Sequence, residues 1–137
     1  MNSGATNQAR LKSPAVLCID DEPDAIQIRR LLLESEGYKV FDATTGEEGL
    51  RQFQNHKIDV VIVDYWMSGM NGLVVAREIK KLNPAMPIIV LSGYSELPGE
   101  AVGLADRWIL KGRSAQDLLD ALASLTQEKS PNQAKTR

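Results

Sequence analysis

The residues from Ile58 to Asp64 constrain the fold more than any other stretch of this chain. They form an almost unbroken run of β-branched side chains that ends on a carboxylate, and no polar residue interrupts positions 60–63. Such a run is typical of a strand that is buried on both faces of a parallel sheet. Turn-forming residues follow at 68–72. The run therefore predicts an α/β protein that carries polar groups at the carboxyl ends of its strands.

Four further apolar segments predict strands, and helical patterns alternate with them. The predicted strands cover 15–19, 38–43, 58–64, 87–91 and 106–110, and the predicted helices cover about 23–36, 45–55, 73–82 and 114–128. The segment 94–103 holds Pro98 and two glycines, which predicts at most a short fourth helix. In the first helix we expect the inner face to carry Ile28, Leu31, Leu32 and Ser35. The alternation predicts a doubly wound parallel sheet with helices on both faces.

The composition limits the class of protein. With 137 residues, 43% of them hydrophobic, the chain is long enough for one domain, which we place at 15–128 between flexible tails at 1–14 and 129–137. A net charge of −2, without a block of Lys or Arg, argues against direct nucleic-acid binding. No apolar run approaches the roughly 18 residues of a membrane span. The one cysteine, Cys18, excludes an internal disulfide and fits a cytoplasmic protein.

Polar side chains follow four of the predicted strands: Asp20 and Asp21, Asp64, Ser92 and Lys111. If the strands take the order 2-1-3-4-5, the first and third strands are neighbours and three carboxylates converge in one crevice. Two unit charges about 4 Å apart interact by roughly 4 kcal/mol at an effective dielectric of 20. The cluster therefore needs counter-charge, and Lys111 supplies only one. Hard oxygen ligands with room for water suit Mg²⁺, which we expect Asp21 and Asp64 to hold.

A metal at this place would make phosphoryl transfer to a carboxylate feasible. That reaction needs an in-line nucleophile and positive charge around the phosphoryl oxygens. Asp64 can be the nucleophile, since carboxylates form acyl phosphates. The ammonium group of Lys111 adds positive charge, and the Ser92 hydroxyl can donate a hydrogen bond to a phosphoryl oxygen.

These residues, in this order on these strands, resemble the receiver domain of two-component response regulators. The resemblance covers roughly 15–128, and its matches are Asp20-Asp21-Glu22, Asp64 with Met67, Gly69-Met70 and Gly72, then Ser92-Gly93 and Lys111. It implies a flavodoxin-like sheet in the order 2-1-3-4-5 with about five helices. It also implies a sensor histidine kinase or phosphotransfer protein as donor. A downstream protein would bind the face formed by the fourth helix, the fifth strand and the fifth helix.

The resemblance also implies a role for each site residue. Asp64 is expected to be the phosphoacceptor, and Mg²⁺ or Mn²⁺ is expected to bind Asp20, Asp21, Asp64 and the backbone carbonyl of Trp66. Ser92 and Lys111 are expected to contact the phosphoryl group, Trp108 to be the switch aromatic, and Trp66 and Tyr94 to tune the lifetime of the phosphorylated form.

Three positions depart from the family pattern. Ser68 stands where a proline is usual, which predicts a looser loop after Asp64. Gly112 replaces the proline that usually follows the lysine, which leaves the isomer of the Lys111–Gly112 peptide open. The stretch between Ser92 and Lys111 is short, which again puts the fourth helix in doubt.

Three other functions compete with this interpretation. An aspartate-nucleophile phosphohydrolase generally has a second carboxylate two residues after the nucleophile, where this chain has Trp66. A flavodoxin-type electron carrier shares the topology, but the acidic residues at 20–22 would repel a flavin phosphate. The third alternative is a receiver that works as a scaffold without phosphorylation. The complete acidic set argues against it, although the departures near Lys111 leave it open.

Overall fold

The computed structural model describes residues 13–68 and 70–127, so nearly all of both predicted tails lies outside the described residues. The elements in chain order are β1 (Ala15–Ile19), α1 (Pro23–Ser35), β2 (Lys39–Ala43), α2 (Gly46–Asn55), β3 (Val60–Asp64), β4 (Trp66–Met67), β5 (Met70–Asn71), α3 (Gly72–Leu82), β6 (Ile88–Ser92), β7 (Arg107–Leu110) and α4 (Ala115–Gln127). No helix in these ranges is long and apolar enough to cross a lipid bilayer.

Five strands form one parallel sheet in the order β2-β1-β3-β6-β7. Counting only the strands of this sheet, the order is the predicted 2-1-3-4-5. All five residues of β3 are buried, because β3 lies between two strands and under helices on both faces. The β-branched run therefore has the central position that its lack of polar residues predicts.

The two faces of the sheet bury separate cores. On one face, Leu33 of α1 and Leu122 of α4 pack against alternate residues of the strands. On the other face, Val75 and Ile79 of α3 join the other alternate residues. The inner stripe predicted for α4 is confirmed, since all its members are buried: Leu118, Leu122 and Leu125.

The inner face predicted for α1 is wrong. Ile28 and Leu31 are 69% and 59% exposed, and the helix buries Ile26 and Leu33 instead. Apolar residues occur on most sides of this helix, so the periodicity alone does not fix its rotation. The observed rotation turns Arg29 toward the buried carboxylate of Asp20, an ion pair that the apolar pattern could not reveal.

The fourth helix of the resemblance is reduced to a single 3-10 turn at Gly99–Ala101. Only Ala101 of this turn is buried, and Leu97 and Val102 beside it are 46% and 71% exposed. The expectation of a short or irregular fourth helix is confirmed, and four α-helices remain within the described ranges. The connection from β6 to β7 consequently exposes apolar side chains that a full helix would bury.

A close approach between α3 and β3 positions the end of the central strand. The Gly72 N–H donates a hydrogen bond to the carbonyl of Tyr65 at 2.6 Å. A side chain at Gly72 would collide with the backbone carbonyl of Asp64. Glycine is therefore required here by space, because α3 begins directly against the residue that ends β3.

Candidate functional site

The structure brings the predicted polar residues to one edge of the sheet. Asp20 follows β1, Asp64 and Ser92 are the last residues of β3 and β6, and Lys111 follows β7. Because these strands are parallel and adjacent, their carboxyl ends lie side by side. Asp20, Asp64 and Ser92 are nevertheless buried, with 1%, 3% and 1% of their surfaces exposed.

Three carboxylates meet at this edge. One oxygen from each of Asp20, Asp21 and Asp64 lies within 4.8 Å of the others. This distance is within the range in which the like charges repel strongly, particularly since two of the three groups are buried. The convergence inferred from the strand order is therefore present.

Lys111 neutralises part of this charge. Its Nζ lies 2.8 Å from Oδ1 of Asp64, and its side chain is 41% exposed while that of Asp64 is 3% exposed. Burial of the Asp64 carboxyl raises its pKa, the hydrogen bond from Lys111 lowers it, and the charge of Asp20 raises it further, with a net upward shift. The ion pair therefore does not fully offset the cost of burying this carboxylate.

Arg29 is a second cation at the cluster, and the sequence analysis missed it. Its Nη1 and Nη2 both lie 3.4 Å from Oδ2 of Asp20. The other oxygen of Asp20 accepts a hydrogen bond from the backbone N–H of Glu22 at 3.0 Å. In the structure Arg29 lies three residues after the buried Ile26 and four before the buried Leu33, which places it toward the inner face of α1, but the apolar pattern of the sequence did not single out that face.

Ser68 binds Asp21 through a group that proline lacks. The Ser68 N–H donates to Oδ2 of Asp21 at 2.7 Å. This backbone hydrogen bond, followed by one from the Ser68 side chain, lowers the pKa of Asp21 below its usual range. The departure from the family pattern at position 68 therefore adds a contact to the site, and the looser loop stays a prediction.

Ser92 and the end of β7 are linked by hydrogen bonds. The Ser92 Oγ accepts from the Tyr94 N–H at 2.9 Å, and the Ser92 carbonyl accepts from the Lys111 N–H at 2.7 Å. The Lys111–Gly112 peptide is trans, and Gly112 has a φ of 87°, which favours glycine. The hydroxyl and the ammonium group are thus held on neighbouring strands at the acidic cluster.

Four aromatic residues lie beside the cluster. The Trp108 indole N–H donates to the Tyr94 carbonyl at 2.9 Å. The ring of Tyr65, which was not singled out from the sequence, lies 5.3 Å from that of Trp108, 6.2 Å from that of Tyr94 and 6.5 Å from that of Trp66, between centroids. Trp108 is partly buried, while Trp66 and Tyr94 are each 66% exposed. Tyr65, the residue directly after the central strand, thereby links that strand to the β6–β7 connection.

The donor set fits a hard divalent cation. Three convergent carboxylates supply oxygen ligands of the kind that Mg²⁺ prefers, and the partial exposure of Asp21 leaves space for bound water. The Trp66 carbonyl remains a predicted ligand. A cation bound there would neutralise negative charge of the three carboxylates that Lys111 and Arg29 do not offset.

The fold and the site together define a doubly wound α/β protein with a cluster of three carboxylates, two of them buried, and two paired cations at the carboxyl edge of its sheet. The model of the response regulator receiver domain family matches residues 16–123. The chain belongs to this family.

Curated relatives are longer than this chain. It is 40% identical over 87 residues to the transcriptional regulatory protein GlrR of Escherichia coli (strain K12), which covers 64% of this chain and 20% of that protein. It is 31% identical over 134 residues to the probable transcriptional regulator ycf27 of Cyanidium caldarium, which covers 96% of this chain and 53% of that protein. The chain thus spans between about a fifth and about half of these relatives.

Solved receiver structures match most of the chain. The response regulator protein TrrA of Thermotoga maritima, in complex with Mg(2+)-BeF, has a TM-score of 0.76 and 33% identity, covering 82% of this chain and 98% of that chain. The same protein in complex with the histidine kinase ThkA also has a TM-score of 0.76. A receiver domain protein from Clostridium thermocellum has a TM-score of 0.78 and 37% identity, covering 85% of this chain and 96% of that chain.

The raised pKa of Asp64 predicts that its charge destabilises the metal-free protein. Because the folded state binds this proton more tightly than the unfolded state, stability falls as pH rises from the ordinary value of 3.8 through the raised pKa. Asp64→Asn should therefore unfold at a higher temperature than the wild type at pH 7 in EDTA, and this advantage should shrink as the pH falls toward 4. Calorimetric unfolding measures both effects.

Asp24→Asn is the matched control, because Asp24 is an exposed carboxylate in the first turn of α1. It should give no gain in stability at pH 7. An Asp64→Asn protein that is no more stable than the wild type at pH 7, or whose advantage grows in acid, would contradict the assigned cost of burial.

Proposed function

We propose that this chain accepts a phosphoryl group on Asp64 from a phosphohistidine of a sensor histidine kinase or phosphotransfer protein. The observation that carries this proposal is the buried Asp64 carboxylate, which is paired with Lys111 at 2.8 Å inside a cluster of three acids. The TrrA structures support it, since that relative is solved both with Mg(2+)-BeF and with a histidine kinase. The proposal places the chain in the cytoplasm, where its buried Cys18 remains a free thiol.

The proposed reaction forms one bond and breaks one. A carboxylate oxygen of Asp64 attacks the phosphorus, the bond between phosphorus and the donor imidazole breaks, and that imidazole nitrogen takes up a proton from solvent. Lys111 and the Ser92 hydroxyl bind the phosphoryl oxygens as charge accumulates on them. Asp20, Asp21, Asp64 and the Trp66 carbonyl would hold Mg²⁺, or Mn²⁺ in its place, which would supply further positive charge.

The chain acts in this proposal as a signalling domain that catalyses only its own phosphorylation and dephosphorylation. A phosphohydrolase of this kind generally has a second carboxylate two residues after the nucleophile as general acid, and in this chain Trp66 occupies that position. The alternative of a scaffold that works without phosphorylation would leave the costly burial of Asp64 beside Asp20 without a use.

We place the output on the face formed by residues 94–103, β7 and α4, with a downstream protein as partner. Tyr94, Leu97 and Val102 expose apolar surface there because the fourth helix is reduced to one turn. The hydrogen bond from Trp108 to the Tyr94 carbonyl ties this segment to β7. Since Lys111 follows β7, a new charge on Asp64 would act on the same strand that holds the exposed segment.

Phosphorylation at Asp64 is tested by intact mass. With Mg²⁺ and a small phosphodonor such as acetyl phosphate, the wild type should gain one phosphoryl group that hydroxylamine removes, because acyl phosphates are labile to it. Asp64→Asn should show no gain, whereas the exposed control Asp24→Asn should behave like the wild type. A wild-type rate of labelling in Asp64→Asn would show that the acceptor is another residue, and an unlabelled wild type would favour the scaffold.

We further propose that Trp66 and Tyr94 slow the loss of the phosphoryl group. Both are large, exposed aromatic residues that pack around Tyr65 beside the cluster. Hydrolysis needs a water molecule in line with the acyl phosphate, and neither side chain has a carboxylate or amide that could orient one. They would cover the approach of water without assisting it.

Trp66→Asn and Tyr94→Glu should therefore shorten the half-life of the phosphorylated protein in the absence of kinase and phosphatase. The effect of adding a group that orients water should be about 10² to 10⁴-fold in rate, by analogy with general-base contributions. The matched control is Val102→Asn, which changes an exposed apolar residue on the adjoining connection. If both site variants decay as slowly as the wild type and the control, shielding by these aromatic residues does not set the lifetime.

A further inference from the structure

The side chain of Arg29 is placed where it can compete with a metal ion. It is only 13% exposed, and it contacts Asp20, of which 1% is exposed. Within the described residues, Arg29 and Lys111 are the two cations that form ion pairs with the three carboxylates of the cluster. Lys111 binds Asp64, so Arg29 neutralises a different member of the cluster.

The contact between Arg29 and Asp20 is of a kind that can exchange. Both guanidinium nitrogens lie 3.4 Å from Oδ2, which is longer than the roughly 2.7–2.9 Å of a strong charge-assisted hydrogen bond. A guanidinium group carries a delocalised positive charge. It therefore holds Asp20 by charge, without the close geometry of a tight bidentate pair.

The surroundings of Arg29 leave room for it to move. A groove of about 390 Å³ between α1 and α4 is lined by Arg29, Asp20 and Lys111, together with apolar residues such as Leu32 and Leu118. The guanidinium could withdraw into this groove without leaving the side chain's place on the inner face of α1. A metal ion that bound Asp20 would meet a positive charge nearby unless the guanidinium withdrew.

We propose that Arg29 is a resident counter-cation of the acidic cluster, which occupies Asp20 in the metal-free protein and lowers the affinity of the site for Mg²⁺. Arg29 is a positioning residue here, because it acts on the metal through Asp20. The fraction of protein competent for phosphoryl transfer at a given Mg²⁺ concentration then depends on this exchange. This inference rests on the magnesium site of the proposed function.

Arg30 offers a matched control on the same helix. Its guanidinium binds Asp42 at 2.6 Å and Glu34 at 2.9 Å, and neither acid belongs to the cluster. Arg29→Met and Arg30→Met therefore remove the same charge from adjacent positions, but only the first removes a partner of Asp20. Methionine fits the partly apolar inner face of α1 and adds no new polar group.

The test is calorimetric titration of the full chain with MgCl₂ at constant ionic strength. Arg29→Met should bind Mg²⁺ at least about tenfold more tightly than the wild type, which corresponds to removing one repulsive charge from the ligand cluster. Arg30→Met should stay within about twofold of the wild type, since its charge lies on other acids. Equal affinities for the two variants, or weaker binding by Arg29→Met, would overturn the inference.

Two further measurements keep the result unambiguous. If Arg29→Met does not fold, Arg29→Gln replaces it, and wild-type affinity in that variant would equally overturn the inference. In EDTA, Arg29→Met should lose stability relative to the wild type, and this loss should be smaller in an Asp20→Asn background; the same loss in both backgrounds would contradict the pairing.

If no protein titrates with Mg²⁺, the magnesium site itself fails and this inference fails with it, a pattern distinct from equal binding by all variants.

Discussion

The repulsion among three carboxylates at one edge of the sheet is the constraint on which the rest of this structure depends. Asp20 and Asp64 are buried, so neither can rely on water to screen its charge. The chain offsets the repulsion with groups from three separate elements: Lys111 after β7, Arg29 in α1 and the Ser68 N–H before β5. The raised pKa of Asp64 indicates that these groups offset only part of the repulsion, so a bound metal ion would stabilise the cluster further.

Hydrogen bonds and ring contacts connect the site to the β6–β7 connection. Lys111 is the first residue after β7, and Trp108 of that strand donates to the Tyr94 carbonyl. Tyr65 lies directly after Asp64 and its ring contacts both of these aromatic residues. We propose that a change in the charge on Asp64 reaches the β6–β7 connection through two short routes, one along β7 and one through Tyr65. That connection is held by few buried residues, so small forces can shift it.

The sequence predicted the sheet order and the convergence of the acids because both follow from strong local signals. A fully apolar strand such as β3 has few alternative positions, and carboxyl ends of parallel strands meet at one edge. The rotation of α1 was predicted wrongly, since Ile28 and Leu31 compete with Ile26 and Leu33 for the inner face. The observed rotation buries Ile26 and Leu33 and brings Arg29 to Asp20, and these are tertiary contacts that periodicity does not encode. The role of Ser68 was missed for a related reason, because its contact uses the backbone N–H.

We propose that placing a phosphoryl group on Asp64 changes the conformation of the β6–β7 connection. Hydrogen–deuterium exchange of the wild type, with Mg²⁺ and beryllofluoride as a phosphoryl mimic and with Mg²⁺ alone, tests this most directly. We expect altered exchange at residues 94–103 and in β7 only when Mg²⁺ and beryllofluoride are both present, and no such change in Asp64→Asn. Unaltered exchange in these segments, or changes confined to the outer face of α1 around 27–34, would contradict it.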